Sequence, residues 1–228
     1  MGESVLEAWG ERWNKRVKTD VVFDPEADEL SPLPIPTEIE ALDILLGGGI
    51  PRGRTTILYG VENGGKTLLS QLIIAAAQRQ GGFALFFDIE RTFTKKWFQL
   101  TGVNTDKDRL QVVRPQNLEQ AFDMAEDALI NLKPDVLVID SCAFLVPKKM
   151  LEVTMEEKDF QGLGARKTTE GIKKLTTVNQ QTALVIINQV RLDLGVTYGN
   201  PEKMPGGRGL RHASSLTLLV RRGTWITD

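Results

Sequence analysis

The chain has 228 residues, of which 41% are hydrophobic, and a formal net charge of -2. A chain of this length buries enough apolar surface to fold without disulfides or a structural metal. With a single cysteine and a single histidine, it can form neither an internal disulfide nor a zinc site of the usual Cys/His type. We therefore expect a sizeable domain with a short additional segment, in a reducing, cytoplasmic setting and without membrane attachment.

The charge is unevenly distributed along the chain. Residues 161–228 contain 10 Lys and Arg against 4 Asp and Glu, whereas residues 1–160 contain 18 against 26. A basic third in an acidic chain is either a chance cluster of solvated cations or a binding surface for a polyanion. Composition alone leaves both interpretations open.

Residues 1–36 are predicted to form a short helix and a linker, apart from the rest of the chain. Apolar residues recur at every fourth position and form a stripe on one helical face: Val5, Trp9, Trp13 and Val17. The segment 21–23 (VVF) is typical of a short strand, and the alternating prolines after it indicate an extended linker. The tryptophan stripe either docks on another subunit or folds back on this chain's own core.

From Thr37 onward, short apolar runs alternate with segments of helical period. The runs predict buried strands at 55–59, 83–89, 110–113, 135–140, 183–188 and 215–221. The predicted helices between them lie at 66–80, 94–101, 118–132 and 162–178. Strands that are apolar on both faces and separated by helices indicate an α/β fold. We expect a mostly parallel sheet with helices on both faces.

Residues 60–67 (GVENGGKT) match the phosphate-binding pattern G-x-x-x-x-G-K-[ST]. Glycines let backbone N–H groups turn toward phosphate oxygens, Lys66 reaches the β- and γ-phosphates, and the Thr67 hydroxyl binds Mg²⁺. The pattern lies between a predicted strand and a predicted helix, as this chemistry requires. The residues expected to bind the nucleotide are Gly60, Val61, Glu62, Asn63, Gly64, Gly65, Lys66, Thr67 and Leu68.

Three acidic residues follow the ends of predicted strands. Asp140 ends the run VLVID, where an acid would complete the Mg²⁺ site, although the same residue could cap a turn. Hydrolysis also needs a group that orients water at the γ-phosphate, and Asp88 and Glu90 both lie near the end of FALFFDIE. Residue type and position alone barely show which of Asp88 and Glu90 has this role.

Four segments occur in a characteristic order: GVENGGKT, FFDIE, VLVIDS and LVIINQVRLDLGVTYGNPEKMPGG. In this order they resemble the bacterial RecA recombinase family, or a phage-borne relative of it, from about Thr37 to Arg222. The resemblance implies a RecA-type P-loop NTPase core over residues 37–228, with ATP and Mg²⁺ as its ligands. It also implies a head-to-tail helical filament on single-stranded DNA, with double-stranded DNA as the partner in strand exchange.

The resemblance also assigns roles to residues of the nucleotide site. Glu90, rather than Asp88, matches the family's catalytic glutamate and would act beside Lys66. Gln189 matches the residue that senses the γ-phosphate. Trp97 falls where the family stacks an aromatic ring on adenine, and its alternative is ordinary core packing.

Two loops, at about 151–161 and 191–207, are implied to contact DNA. The implied DNA-binding residues lie in or beside these loops: Arg166, Lys167, Lys173, Arg191, Gly195, Gly206, Gly207 and Arg208. Cations and close glycine backbone favour phosphate contacts, so we expect sequence-neutral binding of single strands. Adjacent residues of a helix such as Lys173 and Lys174 cannot point the same way. The implied subunit interface contains Trp9, Trp13 and Arg211.

The chain departs from the family pattern toward its end. It stops six residues after Arg222, whereas the family continues with a further part of the core and a small C-terminal domain. His212 also replaces an apolar residue that the family uses in subunit coupling, and Thr217 stands where the family often has a second arginine. We therefore expect weak ATP turnover, and one alternative stays open: an accessory ATP-binding protein that acts through a partner instead of by strand exchange.

Overall fold

The computed structural model describes residues 4–18, 21–25, 33–153, 162–192, 202–203, 210 and 212–224. Contacts divide the chain into two compact units, Met1–Leu33 and Pro34–Asp228. Within the described ranges, none of the helices has the length and apolar character needed to cross a lipid bilayer.

The first unit contains helix α1 (Val5–Val17). Its N-terminus is a capping box, in which the Ser4 hydroxyl accepts from the Leu6 backbone at 3.3 Å and Glu7 accepts from the Ser4 backbone at 2.8 Å. The rings of Trp9 and Trp13 are 6.4 Å apart. The predicted N-terminal helix is therefore present, with its two tryptophans side by side.

The predicted strand at residues 21–23 is wrong. The Asn14 side chain accepts hydrogen bonds from the backbone N–H groups of Val21 and Val22, both at 2.9 Å, and donates to the Val22 carbonyl at 2.9 Å. A single side chain thus occupies the backbone groups that a neighbouring strand would have used. The apolar run VVF predicts strand pairing, but an asparagine seven residues earlier takes its place.

The second unit is built on a six-stranded sheet in the order β3-β2-β4-β5-β1-β8. Its strands are β1 (Thr55–Gly60), β2 (Ala84–Asp88), β3 (Leu110–Val113), β4 (Val136–Asp140), β5 (Ala183–Gln189) and β8 (Leu216–Leu219). All neighbouring strands in it are parallel. A separate two-stranded antiparallel ladder joins β6 (Arg191–Leu192) to β7 (Glu202–Lys203).

Helices cover both faces of this sheet. The helices of the unit are α2 (Glu40–Leu46), α3 (Lys66–Arg79), α4 (Lys95–Leu100), α5 (Leu118–Asp127), α6 (Lys148–Leu151) and α7 (Leu163–Val178). Alternate strand residues enter two separate cores, with Leu58 packed on the side of α3 and Ile57 on the side of α5 and α7. The predicted α/β fold with a parallel sheet covered on both faces is confirmed.

Two predicted element ends differ from the structure by more than one residue. The predicted helix at 118–132 is α-helical to Asp127 and continues as a π-helix over Ala128–Leu132. It stops before Pro134, which disfavours helical geometry at the preceding residue. Strand β8, predicted at 215–221, spans only Leu216–Leu219 and pairs with β1 alone at the edge of the sheet.

Two polar side chains, Thr56 and Gln71, are buried without a hydrogen-bond partner within the described part of the chain. Gln71 of α3 has no exposed surface, and neither its amide nitrogen nor its oxygen forms a hydrogen bond within the described part of the chain. A buried amide left unsatisfied costs about 1–3 kcal/mol. Gln78, two turns later on α3, instead bonds the Asn104 and Arg109 backbone at 2.8–3.0 Å.

We expect Gln71→Leu to raise the free energy of unfolding by roughly 1–2 kcal/mol, because the substitution removes an unsatisfied buried amide. The matched control, Gln78→Leu, should lower the free energy of unfolding, because it breaks three backbone hydrogen bonds. Urea denaturation of both variants measures the difference. Equal destabilisation by the two substitutions would show that the Gln71 amide is satisfied in solution.

Candidate active site

The phosphate loop runs from the end of β1 to the start of α3. Gly65 precedes the helix at φ +98°, a left-handed conformation that favours glycine, and the first backbone N–H groups of α3 follow it. The Lys66 amine lies inside the loop and donates to the Gly60 and Val61 carbonyls at 3.1 and 2.6 Å. Burial lowers the pKa of Lys66, while the Asp140 and Glu90 carboxylates act in the opposite direction.

Thr67 and Asp140 lie together, as their proposed role at a metal requires. The Thr67 hydroxyl donates to the Asp140 carboxylate at 2.7 Å. Burial raises the pKa of Asp140 to about 6, with the Thr67 hydrogen bond opposing it. A hydroxyl and a carboxylate are oxygen ligands that suit Mg²⁺, which takes its remaining ligands from phosphates and water. Within the described residues, no three or more His, Cys, Asp or Glu side chains form a metal site.

The structure separates Asp88 from Glu90. Asp88 is only 1% exposed, and its two carboxylate oxygens accept from the Thr92 backbone at 2.7 Å and from Arg114 Nε at 2.9 Å. These bonds stabilise the turn after β2, so Asp88 has a structural role. Glu90 instead lines the pocket beside the phosphate loop. Of the two acids, only Glu90 lines this pocket.

The Glu90 carboxylate is held by two neighbouring strands. One of its oxygens accepts a short hydrogen bond from the Ser141 hydroxyl and another, at 3.0 Å, from the Gln189 amide. Ser141 follows the last residue of β4 and is fully buried. Gln189 is the last residue of β5.

These residues enclose a pocket of about 600 Å³. Its lining combines the phosphate loop with residues that follow β2, β4 and β5: Glu62, Asn63, Gly64, Gly65, Lys66, Thr67, Leu68, Glu90, Thr92, Trp97, Asp140, Phe144 and Gln189. Trp97 is 38% exposed, whereas the neighbouring Phe98 is completely buried. Phe98, and not Trp97, packs in the core. The Trp97 ring lines the pocket and lies edge-to-face with the Phe98 ring, with the two ring centroids 6.1 Å apart.

Three pocket or pocket-supporting residues are absent from the sequence prediction: Ser141, Thr92 and Phe144. Ser141 had a usable signal, since it directly follows the acid at the end of β4. Thr92 and Phe144 lie in the turns after β2 and β4, and their positions depend on how those turns fold. Their residue types carry no phosphate-binding pattern.

The pocket is joined directly to the start of the second predicted DNA loop. Strand β5 ends at Gln189, and after Val190 the chain enters β6, which pairs with β7 through Arg191 and Lys203. The Val190 N–H donates to the Gly60 carbonyl at 3.2 Å. The same carbonyl accepts from Lys66.

The predicted DNA-binding residues divide into two groups. Arg166 and Lys173 are exposed on α7, and Lys167 of the same helix is partly buried against Glu119. The backbone of Arg191 lies in β6. The remaining predicted residues lie outside the described part of the chain: Gly195, Gly206, Gly207, Arg208 and, for the subunit interface, Arg211.

A family model, that of the RecA N-terminal domain, matches residues 21–228. RecA of Thermus thermophilus is 46% identical over 191 residues, which cover 82% of this chain and 55% of that protein. The chain belongs to the RecA family. RecA of Aquifex pyrophilus is 44% identical, covering 82% and 54%, and RecA of Francisella tularensis subsp. novicida is 42% identical, covering 85% and 54%.

The RecA resemblance drawn from the four segments is confirmed, and the parallel sheet is a RecA-type core. The chain spans about half the length of the curated RecA proteins that it matches.

We expect Asp88→Asn to lower the free energy of unfolding by about 2 kcal/mol, because Asp88 is buried and bonds Arg114 as a charged acceptor. Glu90→Gln should change it by less than about 1 kcal/mol, because a glutamine oxygen still accepts from Ser141 and Gln189. Thermal and urea unfolding compare the two variants. A larger loss in Glu90→Gln would reverse the roles assigned to these acids.

Proposed function

We propose that this chain is an ATP-dependent single-stranded DNA-binding recombinase that forms filaments and promotes homologous pairing and strand exchange. Membership of the RecA family supports this function. The observation that carries it is the path from the pocket to the DNA loop: Gln189 contacts Glu90 through its side chain and is followed, after one residue, by β6. A nucleotide bound in the pocket would act on that path directly.

At the nucleotide end, Lys66 and the first N–H groups of α3 bind the β- and γ-phosphates. Thr67 and Asp140 would hold Mg²⁺, which neutralises phosphate charge when bound. Trp97 stacks on the base at the open end of the pocket, where a π-face needs no base-specific hydrogen bond.

Glu90 orients the attacking water and accepts its proton. Ser141 fixes one oxygen of this carboxylate and so leaves the other to face the water. Gln189 bonds the same Glu90 oxygen that Ser141 does. A γ-phosphate offers the Gln189 amide a second, more highly charged acceptor, and we infer that the amide moves to it when ATP binds.

The movement of Gln189 would be passed to β6 and the residues after it, and a switch of this kind couples ATP to DNA affinity. Residues 37–228 form the ATPase core in this proposal, and residues 1–36 supply the contact between subunits. Trp9 and Trp13 on α1 provide the aromatic area for that contact, since large aromatic residues dominate the energy of such interfaces. Arg211 would face the adjacent subunit.

Electron microscopy with single-stranded DNA and either ATP or ADP tests this function. We expect extended filaments with ATP and few or none with ADP, together with retention of single strands at low salt. A protein that binds ATP and yet retains no single strands would contradict the proposal. A stable complex with another protein and no ATP-dependent polymer would indicate the accessory role instead.

We expect Lys66→Ala to weaken ATP binding by about 10- to 100-fold, the loss of a charged hydrogen bond to phosphate. Lys107→Ala is the control, because Lys107 is an exposed lysine in the turn before β3. Fluorescence titration with a labelled ATP analogue measures both. Unchanged affinity in Lys66→Ala would contradict the role given to the phosphate loop.

Gln189→Ala should leave ATP affinity within about threefold of the wild type, because Lys66 and the α3 N–H groups remain. It should abolish the difference in DNA affinity between the ATP and ADP states. Gln180→Ala, an exposed position at the opposite end of β5, is the control. Anisotropy of a labelled oligonucleotide in each nucleotide state gives the answer, and wild-type coupling in Gln189→Ala would rule out its sensor role.

A further inference from the structure

Helices α5 and α7 are joined by two lysine–glutamate pairs that form a regular ladder. Lys167 pairs with Glu119 through a short contact, and Lys174 pairs with Glu126 at 2.5 Å. From the first pair to the second, the contacts advance seven residues along both helices. The helices therefore run in the same direction, and the two pairs are about 10 Å apart at 1.5 Å per residue.

A close packing contact lies between the two pairs. The ring of Phe122 on α5 lies so near Gly171 on α7 that a β-carbon on residue 171 would come within 2.6 Å of it. Phe122 is buried, and its ring belongs to the core on this side of the sheet. The helix backbones approach closely at this point, which allows the lysines on either side to reach the glutamates.

The Lys167–Glu119 pair is also bonded to a third element, helix α6. The second carboxylate oxygen of Glu119 accepts from the backbone N–H of Lys148, the first residue of α6, at 2.8 Å. The side chains of Lys167 and Glu119 are both only about one-third exposed, at 34% and 32%. A carboxylate bonded from two directions and partly shielded from water is more strongly held than an ordinary surface pair.

The ladder determines which cations of α7 are paired with α5. Residues seven apart lie on one side of a helix, so Lys167 and Lys174 share the side facing α5, while Arg166 and Lys173 share the next. Arg166 and Lys173 are exposed, and Lys174 is paired although its side chain is 57% exposed. Arg166 has a neighbour in Glu170 at 3.3 Å, but both side chains are more than 60% exposed, and a pair of that kind is easily replaced.

We propose that Glu119 and Glu126 are positioning residues for the nucleic-acid surface. By pairing with Lys167 and Lys174, they fix the rotation of α7 and leave Arg166 and Lys173 as its cations for a polynucleotide. This inference rests on the proposed DNA-binding function. It replaces the expectation that Lys167 contacts DNA, and it decides between the adjacent Lys173 and Lys174.

The dependence of oligonucleotide binding on salt distinguishes the two sets of cations. Each phosphate contact with a single strand contributes about 0.7 to the slope of log affinity against log salt. With ATP and labelled oligo-dT, we expect R166Q/K173Q to reduce the slope by about 1.4. E126K/K174E exchanges the partners of the second pair, so that the pair is kept while its cation moves from α7 to α5, and we expect it to leave the slope unchanged. A reduction of about 0.7 in E126K/K174E would overturn the proposal.

The glutamates themselves provide a test of opposite sign. E119Q/E126Q removes two negative charges, which by charge alone should strengthen DNA binding. A positioning role predicts weaker binding instead, because α7 loses its fixed rotation. D108N/D127N, which removes two exposed acids outside the ladder, is the control and should not weaken binding. Stronger binding by E119Q/E126Q would overturn the positioning role.

Thermal unfolding reports the pairs independently of DNA. The losses in free energy of unfolding caused by E126Q and K174M should be non-additive, so that the double variant is no less stable than the less stable of the two single variants. Additive losses would show that the pair does not form. A wild type that binds no single strand at low salt would overturn the proposed function and this proposal with it. Normal wild-type binding with a lowered slope in E126K/K174E would overturn this proposal alone.

Discussion

The parallel pairing of four strands is the constraint on which the pocket depends. Pairing of β1 with β5 sets Gly60 beside Gln189, and pairing of β2 with β4 sets Asp88 beside Asp140. Strands in parallel end at the same edge, so segments far apart in the chain deliver their polar residues to one place. A slip of one residue in any pair would turn a strand's side chains to the opposite face. The core and the site are therefore specified by the same register.

The sequence pattern was sufficient to predict the parts of the site that lie within one short segment of the chain. The phosphate loop could be predicted because a short run of glycines, one lysine and one threonine carries the whole chemistry, and the apolar runs around it predicted the strands. Asp88 and Glu90 could not be separated in this way, since both lie at the same strand end. What separates them is Arg114, which comes from beyond β3 and pairs with Asp88.

The sequence could not be used to predict the hydrogen-bond and ion-pair partners of the polar side chains. The predicted strand at 21–23 failed because Asn14 occupies its backbone groups. The cations of α7 could be counted but not assigned, because their glutamate partners lie 48 residues earlier on α5. Helical periodicity shows which residues share a side of α7. The packing of Phe122 against Gly171 and the two lysine–glutamate pairs show which side meets α5.

Two connections lead from the phosphate loop to β6, and they differ in what they can detect. The Gly60 carbonyl accepts from the Val190 N–H, and in the proposed mechanism this backbone hydrogen bond stays in either nucleotide state, while Lys66 turns to the phosphates. It fixes where the end of β5 lies but cannot distinguish ATP from ADP. The Gln189 side chain adds a contact with Glu90 in the pocket, and in the proposed mechanism its amide also bonds the γ-phosphate. In the proposed mechanism the backbone therefore sets the position of the junction, and the side chain makes it responsive to the γ-phosphate.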